Sequence, residues 1–262
     1  MALASMAQND SLQVTAAATD SVPEKVAEQA LPANAKALAD SAYVREDYEL
    51  AASLYCQLTQ RDGESAELYF NLGNCYYRQD SIAKAILYYE RARLLDPSDD
   101  DIRFNLEMAR VKTVDKVVPA SEMFFVTVFR SMVLSLSISG WATLGITLFV
   151  LMLIALAIYL FVPHLLTKKV SFAVAVIALL VCVFANIAAV QQRKQIDNRT
   201  GAVIMSASAV VKSTPSTSGA DLFILHEGTH VEIVDDTMRE WVEVRMSDGK
   251  EGWLHRSEIE VI

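Results

Sequence analysis

The residues with the strongest potential for chemistry are His226, Glu227 and His230, which form the pattern His-Glu-x-x-His. On a helix, two histidines at this spacing lie on one face and can share a zinc ion, while the glutamate acts as a general base. The neighbouring residues are instead typical of strands, and Gly228 interrupts the pattern. In an extended chain the two histidines would be roughly 13 Å apart. We therefore interpret the match as a coincidence and expect no metal site.

No other enzyme signature occurs in the sequence. It contains no nucleophile elbow, Walker loop or Cys-x-x-Cys pair, and its three cysteines imply no disulfide framework. The formal net charge is −9 and both ends of the chain are acidic, which argues against binding to nucleic acid. We expect a protein that is not an enzyme and has no cofactor.

The distribution of charge divides the chain into three parts. Residues 123–196 contain five basic and no acidic residues, whereas the parts on either side are acidic. Within this stretch, residues 141–163 and 170–190 are uncharged apolar runs, each long enough to cross a hydrocarbon core of about 30 Å. The six residues between them, 164–169, force a helical hairpin. We expect two transmembrane helices, with the N- and C-terminal domains on the same side of the membrane.

The linker before the first span, residues 116–140, contains an amphipathic pattern. Its larger apolar side chains recur at helical spacing: Phe124, Phe125, Val128, Met132 and Leu136. This pattern predicts a helix that lies in the membrane interface. We do not expect a third span, because the apolar run is short and Arg130 interrupts it.

The first segment, residues 1–31, lacks a hydrophobic period and is predicted to be disordered. Small residues at Ser5 and Ala7 suit a signal-peptidase site, although a charged start and a full apolar core are missing. The segment is therefore interpreted either as the remnant of a secretory leader or as an ordinary flexible terminus.

A repeat of 34 residues is visible within residues 32–115. Its second copy has aromatic, leucine, small and proline residues at the signature positions: Tyr69, Leu72, Gly73, Tyr76, Ala85, Tyr89, Ala92 and Pro97. A more degenerate copy precedes it, with Leu38, Ala39, Ala51 and Tyr55 at equivalent positions. The residues around Leu106 predict a single capping helix. The pattern resembles the tetratricopeptide repeat (TPR), in which paired α-helices stack into a solenoid.

The resemblance to TPR domains implies a concave face, built from the first helix of each pair, that binds extended peptides or partner helices. In this chain eight residues would lie on that face: Lys36, Asp40, Tyr43, Asn71, Asn74, Tyr77, Arg78 and Asn105. Any one of them could equally be an ordinary solvated position. For the face as a whole, we predict binding of a protein partner.

The last part of the chain, residues 200–262, has a different pattern. Short β-branched or alternating runs, separated by Gly, Pro, Ser and Asp-Gly turns, predict about six strands and a small all-β barrel. The order of its motifs resembles a bacterial SH3-like (SH3b) domain. These motifs are Val210–Pro215, Leu225-His-Glu-Gly-Thr, Trp241-Val and Asp248-Gly-Lys-Glu-Gly-Trp253-Leu. Asp248-Gly249 is predicted to form the tip of a hairpin.

The order of a TPR domain, a two-span hairpin and an SH3b domain resembles the BatE-type Bacteroides aerotolerance (Bat) proteins. The resemblance implies a membrane-anchored scaffold in a cell-envelope complex for oxidative or envelope stress. Its implied partners are von Willebrand factor A domain membrane proteins and a MoxR-type ATPase. The alternative is an adaptor that senses the cell wall, with peptidoglycan or a peptide bound to the SH3b domain. Trp241 and Trp253 could line such a groove, or both could belong to the core.

The basic residues disagree about the side of the membrane. Lys168 and Lys169, in the hairpin loop, favour a cytoplasmic loop and external domains. The basic residues at the other ends of the spans favour the opposite orientation: Arg130, Arg193, Lys194 and Arg199. The leader-like start and the SH3b resemblance favour the periplasm. We therefore expect a two-pass protein of the bacterial inner membrane, with both soluble domains in the periplasm.

Overall fold

The N-terminal domain consists of five α-helices in the computed structural model, which describes residues 31–116 and 123–262. These helices are α1 (Ala35–Val44), α2 (Tyr48–Asp62), α3 (Ala66–Arg78), α4 (Ile82–Leu95) and α5 (Asp100–Val111). They form two helical pairs and a single last helix, as the 34-residue repeat predicts. The predicted disorder and leader remnant concern a segment that, apart from Leu31, lies outside the described residues.

Small residues and helix caps explain how this domain packs. A Cβ atom added to Gly73 would lie 2.5 Å from the ring of Tyr89, so α3 and α4 can approach this closely only because position 73 is glycine. Asp47 caps α2 by accepting a hydrogen bond from the backbone N–H of Leu50. Asp99 caps α5 in the same way. The paired helices and their boundaries thus follow from local sequence signals.

Three apolar helices follow the helical domain. They are α6 (Phe124–Val133), α7 (Ile138–Phe161) and α8 (Leu165–Asn198). The helices α7 and α8 are long and apolar enough to cross a membrane. In the most apolar 18-residue stretch of each helix, only 11% (α7) and 22% (α8) of the stretch is buried. The apolar faces of both long helices therefore point outward rather than into a protein core. Lys168 and Lys169, which were predicted to lie in the hairpin loop, instead lie within α8.

Polar contacts hold α6 against the end of this helical hairpin. The indole N–H of Trp141 donates to the carbonyl of Val133 at 2.9 Å. The side-chain amide of Gln192 donates to Val133 and to Leu136, at 2.5 and 2.7 Å. Deeper in the hairpin, the Cys182 thiol donates to a backbone carbonyl of α7 at 3.4 Å.

The C-terminal domain is an antiparallel sheet of seven strands. They are β1 (Gly201–Ile204), β2 (Ser208–Lys212), β3 (Asp221–His226), β4 (His230–Asp235), β5 (Trp241–Arg245), β6 (Glu251–His255) and β7 (Ile259–Val261). Their order is β3-β2-β6-β5-β4-β1-β7. Gly249, with φ of 90°, lies in the predicted hairpin between β5 and β6. The all-β class of this domain agrees with the prediction.

The expected closed barrel is not formed. Among the described strands, β3 pairs only with β2 and the three-residue β7 pairs only with β1. The two edge strands therefore do not meet, and the sheet remains open. The described part of the domain has seven strands rather than about six, and the last strand, β7, follows a short 3₁₀ turn.

The helical domain and the sheet share one apolar core. Buried side chains of α4 and α5, including Ile86, Tyr89 and Leu106, cluster with Val203 of β1 and with Ile262. Residues 33–262 accordingly form one compact unit. Nothing in the local sequence pattern predicts this contact, because the two domains are separated by the three apolar helices.

Candidate partner-binding groove and the docked face

Five of the eight residues predicted on the concave face line one groove. They are Tyr43, Asn74, Tyr77, Arg78 and Asn105, from α1, α3 and α5. Tyr89 and Met108 complete the lining, and the volume is about 160 Å³. This volume is below the range of about 300–1,000 Å³ that is usual for small-molecule pockets. The groove thus has room for one side chain of a larger ligand rather than for a whole cofactor.

Two asparagines form the floor of the groove. The side-chain oxygen of Asn74 accepts hydrogen bonds from the Tyr89 hydroxyl at 2.7 Å and from the Asn105 amide at 2.9 Å. The Asn74 amide group and the Asn105 side-chain oxygen have no further hydrogen bond within the described part of the chain. They can donate to and accept from a peptide backbone, because an amide carries both donors and an acceptor.

Aromatic and basic side chains form the rim. The guanidinium of Arg78 lies 4.9 Å from the ring centroid of Tyr48, and the ammonium of Lys112 lies 4.3 Å from that of Tyr77. Tyr43 contacts Tyr48 edge to face, with a centroid distance of 5.3 Å. Burial raises the pKa of Tyr43 further above neutral pH, where its hydroxyl is protonated in any case. The rim therefore offers apolar rings together with two cations, which also pair with the exposed carboxylates of Glu46 and Asp80.

The other three predicted residues lie away from this groove. The Lys36 ammonium is 2.8 Å from a Glu67 carboxylate oxygen and 3.6 Å from Asp40. Asp40 also accepts a hydrogen bond from the Tyr55 hydroxyl at 2.6 Å. These contacts connect α1 to α2 and α3. Asn71 is half-buried on α3 and does not line the groove.

The concave-face prediction did not include Met108, and the structure shows a related exposed residue on the same helix. Met108 is 44% exposed, and Phe104, one turn earlier on α5, is 64% exposed. The helix buries a separate apolar set, formed by Ile102, Leu106 and Ala109. A signal was present in the sequence, since α5 carries more apolar residues than one buried stripe requires.

A second face of the helical domain, separate from the groove, is covered by the turn between β3 and β4. This turn contains the His-Glu-x-x-His pattern, with His226 at the end of β3 and His230 at the start of β4. The pattern therefore lies on two strands and a turn, as its surroundings predict, and not on a helix. In the described ranges, no group of three or more His, Cys, Asp or Glu side chains could hold a metal ion.

Asp115, just after α5, is the main polar contact of this turn. One of its oxygens accepts hydrogen bonds from the backbone N–H of His226 at 2.7 Å and from the Thr229 hydroxyl at 2.8 Å. The other oxygen lies 2.9 Å from Nδ1 of His226. Burial would raise the pKa of Asp115, but these hydrogen bonds outweigh it and lower the pKa. The carboxylate therefore ties the sheet to the helical domain.

Gly228 allows the turn to lie directly on α4. Its φ of 82° is in the left-handed region that favours glycine. A Cβ atom at this position would lie 2.8 Å from Cγ2 of Thr113 and 3.0 Å from Cδ1 of Ile86. Both the backbone conformation and the available space thus require glycine here.

A buried carboxylate, Glu90 of α4, lies beside this contact and is only 1% exposed. It pairs with Arg93 at 2.7 Å and also with Arg110. Burial would raise the pKa of Glu90, but Arg93, His230 when protonated, and Arg110 lower it to about 2. Burial lowers the pKa of His230, so this histidine is neutral at neutral pH.

A further contact joins α4 to the last strand. The Arg91 guanidinium donates to the carbonyl of Val261 at 2.6 Å and to the Glu260 carboxylate at 3.1 Å. Its side chain also lies over the ring of Tyr88, 5.4 Å from the centroid. The docked face therefore includes a shared apolar core, two sets of polar contacts to the sheet, at Asp115 and Arg91, and the buried Glu90 cluster within the helical domain beside them.

The outward face of the sheet carries two tryptophans. Trp241 on β5 and Trp253 on β6 are half-buried, whereas their neighbours Val242 and Leu254 are fully buried. Trp241 lies opposite His255 on the neighbouring strand, with ring centroids 5.7 Å apart. Because side chains alternate along a strand, both indoles lie on the side of the sheet away from its core.

Comparisons with known proteins agree with this division of the chain. Residues 36–100 match the family "Tetratricopeptide repeat", and residues 207–260 match the family "Bacterial SH3 domain". Domains of both kinds are typically non-catalytic and bind proteins, or peptidoglycan in the case of SH3b domains. No curated protein shows a significant match to the chain.

Proposed function

We propose that the chain is a membrane-anchored scaffold without catalytic activity, which binds a protein partner through the groove on α1, α3 and α5. The observation that carries this proposal is the arrangement of the two faces of the helical domain. The SH3b domain covers α4, while the groove stays open, with Asn74, Asn105 and the Tyr77 ring at its surface.

The chemistry of the groove favours an extended peptide or the end of a partner helix. The two asparagine side chains provide donors and an acceptor for a backbone. Met108 and Phe104 provide apolar contact area. The cations at Arg78 and Lys112 pair with exposed carboxylates of the chain, Glu46 and Asp80, and an acidic group of a partner would compete with these weak surface pairs. Buried aromatic and arginine side chains are the residue types that most often carry binding energy at interfaces.

Membrane anchoring is supported by the helical hairpin α7–α8. A helix in the core of a soluble protein would be mostly buried, whereas most of the apolar surface of these two helices is exposed. The hairpin also brings both soluble domains to the same end, where they pack together. We propose that this end faces the periplasm, and that the membrane is the bacterial inner membrane.

The resemblance to Bat proteins supplies the finer part of the proposal. It suggests a cell-envelope complex for oxidative or envelope stress, whose partners are von Willebrand factor A domain proteins and a MoxR-type ATPase. In such a complex, anchoring would confine the groove to a thin layer near the membrane. Weak contacts would then be strengthened by a high effective concentration.

A second candidate function, binding of peptidoglycan or a wall peptide, is favoured by the half-buried Trp241 and Trp253. An indole offers a flat apolar surface with a polar edge. Purified sacculi should then retain the protein, and a Trp241→Ala variant should be released. If the sacculi retain neither the unmodified protein nor the variant, wall binding is excluded and the scaffold function is the one that remains.

The groove is tested with the full-length protein and a co-expressed von Willebrand factor A domain protein from the same genome. Replacing Tyr77 and Arg78 by alanine should weaken the complex by about tenfold or more, because each side chain is expected to contribute about 1 kcal/mol. The control is Lys84→Ala, since Lys84 also lies over a tyrosine ring but on α4. Equal weakening by both variants would contradict a role of the groove.

The orientation is tested separately by protease digestion of intact spheroplasts, with an antibody against each soluble domain. Loss of both domains is the expected result. Protection of both until the membrane is broken would place them in the cytoplasm and exclude contact with the wall. Loss of only one domain would contradict the hairpin.

A further inference from the structure

A polar side chain, Asn186, lies on the outer surface of the helical hairpin. It is exposed on α8, four residues before Val190, the last residue of the apolar run. Four helical residues span about 6 Å, so in an inserted hairpin this amide lies inside the hydrocarbon core. A polar group without a partner is costly there. Side-chain amides within membrane spans accordingly form hydrogen bonds to a second helix.

The hairpin itself satisfies only part of this amide. Its nitrogen donates to the backbone carbonyl of Cys182 at 2.9 Å and lies 3.8 Å from the Cys182 sulfur. Its side-chain oxygen accepts no hydrogen bond from any residue that the structure describes. Asn186 therefore offers an acceptor to a group outside the hairpin, together with one N–H whose only contact is the weak one to sulfur.

Asn186 belongs to a row of exposed residues along α8. The other members are apolar and between 39% and 56% exposed: Val176, Leu179, Val183 and Val190. Intervals of three and four residues alternate along this row. We call these five residues the Asn186 stripe. Its spacing is that of a seam along which two α-helices pack side by side.

The Asn186 stripe faces away from the rest of the protein. Helix α6 contacts α8 at Phe184, which is two residues from Asn186 and so roughly 200° around the helix from it. The soluble domains lie near Gln195, which lines a cavity together with residues of α4 and β4. Nine residues, or about two and a half turns, place Gln195 on the side of α8 opposite Asn186. A second helix can therefore reach the stripe without displacing α6 or either soluble domain.

The charges beyond the apolar run are compatible with a second copy of the same helix. Arg193 and Asp197 continue the spacing of the stripe. They pair with each other at 3.1 Å, and their side chains are 69% and 55% exposed. An identical helix that approaches along the stripe therefore meets no net charge at this end.

From these observations we infer that the Asn186 stripe is the interface of a homodimer, in which α8 of one copy packs against α8 of a second copy. Two copies inserted in the same direction have parallel α8 helices, related by a two-fold axis along the membrane normal. The two Asn186 side chains then meet, and each donates its second N–H to the side-chain oxygen of the other. A second copy is the occupant because an amide is complementary to itself, with a donor and an acceptor.

This inference rests on the membrane anchoring proposed above, and it adds to the proposed scaffold function. The dimer holds two partner-binding grooves on the same side of the membrane. A partner with two binding segments, or a partner that is itself a dimer, would then bind more tightly than to a single groove.

The test uses the full-length protein, fused to a donor or an acceptor fluorophore and reconstituted in liposomes. Energy transfer above the level of random collisions is expected for the unmodified protein. Asn186→Leu should raise the dissociation constant of the dimer about tenfold, because two hydrogen bonds between membrane helices are lost. Asn186→Gln retains the amide and should dimerise like the unmodified protein. Transfer at the collision level for the unmodified protein would overturn the inference.

The matched control is Thr147→Val. Thr147 is exposed on the other span, α7, and its hydroxyl donates within its own helix to the carbonyl of Thr143 at 2.8 Å. Removing this hydroxyl should leave the dissociation constant unchanged. A loss equal to that of Asn186→Leu would indicate a general effect of polar groups in the spans and would overturn the role of Asn186.

Disulfide cross-linking in native membranes tests which face of α8 forms the interface. The three native cysteines are replaced by alanine, and Leu179→Cys is compared with Ile177→Cys. These positions are two residues apart and are 47% and 61% exposed, but they face roughly opposite sides of the helix. Oxidation should link Leu179→Cys into dimers and Ile177→Cys much less, because a disulfide requires close Cβ atoms. Equal cross-linking at both positions would overturn the stripe as the interface.

Extraction of membranes with alkaline carbonate separates this inference from the anchoring on which it rests. Release of the protein would overturn both proposals together. Retention of a protein that shows no energy transfer between copies would overturn only the dimer.

Discussion

The two faces of the helical domain differ in how completely their polar side chains are paired with other groups of the protein. On the docked face, the carboxylates of Glu90 and Asp115 are enclosed and paired with groups from two or more elements. In the groove, Asn74 and Asn105 keep part of their hydrogen-bonding capacity, and Arg78 is exposed. The comparison teaches that residues of similar polarity can hold a fold together or remain available for a partner. The outcome depends on how many of their hydrogen-bonding groups already have a partner within the protein.

The largest change is expected when the buried carboxylate of the docked face is removed. Glu90→Ala leaves Arg93 and Arg110 without their shared partner, and breaking such a buried pair costs about 3–5 kcal/mol. Thermal unfolding of the full-length protein in detergent should show a midpoint lower by about 10 °C.

Glu107→Ala is the control for this variant. Glu107 also pairs with Arg110, at 2.6 Å, but its side chain is 66% exposed. Exposed pairs contribute about 0–1 kcal/mol, so its midpoint should change by a few degrees at most. Similar losses for the two variants would contradict the importance of burial.

Acid should weaken the docked face for the same reason. The pKa of Glu90 is about 2 in the folded protein, below the value of about 4.3 in an unfolded chain. Its charge therefore contributes roughly 3 kcal/mol above pH 5, and this contribution is lost as the pH falls towards 2. The lowered pKa of His230 also makes the folded protein less stable as the pH falls below 6.5, because the unfolded chain takes up the proton more readily.

The pH dependence is checked by measuring thermal midpoints from pH 7 down to pH 3. The unmodified protein should lose stability progressively, whereas Glu90→Gln should start lower and fall less steeply below pH 5. Parallel curves for the two proteins would show that Glu90 does not cause the acid sensitivity.

The turn on α4 offers a sharper test of contact between the domains. Gly228→Ala should destabilise the protein by about 3 kcal/mol, because it combines a left-handed backbone with a clash against Thr113 and Ile86. Gly249→Ala is the control, since Gly249 has φ of 90° but no atom within 4 Å of an added Cβ. It should cost only about 1–2 kcal/mol. Limited proteolysis should detect separation of the domains only in Gly228→Ala.

The smallest effect on stability is expected in the groove. Arg78→Ala should change the thermal midpoint by no more than about 2–4 °C, since Arg78 is exposed and its loss removes one cation–π contact with Tyr48 of about 0.5–1 kcal/mol. The same substitution contributes to the loss of partner binding described above. A large fall in the midpoint would contradict the assignment of Arg78 to the open groove.

Much of the secondary structure could be predicted from the sequence, because the relevant signals are local. The repeat from Tyr69 to Pro97 predicted paired helices, and the uncharged runs predicted two long apolar helices. The turns rich in Gly, Ser and Asp predicted a strand-rich domain. The prediction of a closed barrel was wrong, because the edge strands β3 and β7 do not meet. No local pattern in the sequence specifies the pairing of strands that are distant along the chain.

The candidate site was only partly visible in the sequence. The resemblance to TPR domains implied that Tyr43, Asn74, Tyr77, Arg78 and Asn105 lie on one face, and these five residues line the groove. The resemblance could not show that Lys36 and Asp40 engage neighbouring helices instead. Their contacts depend on how the helices pack, and packing is a property of the assembled domain.

The amino-acid sequence by itself thus determined the helices, the apolar hairpin and the strand-rich end. Only the tertiary structure decided that the His-Glu-x-x-His segment is the turn that docks the sheet on α4, through Asp115 and Gly228. The physical reason is distance along the chain. Periodicity and turn chemistry act over a few residues, whereas the contact of residue 115 with residue 226 forms only when apolar burial brings two remote surfaces together.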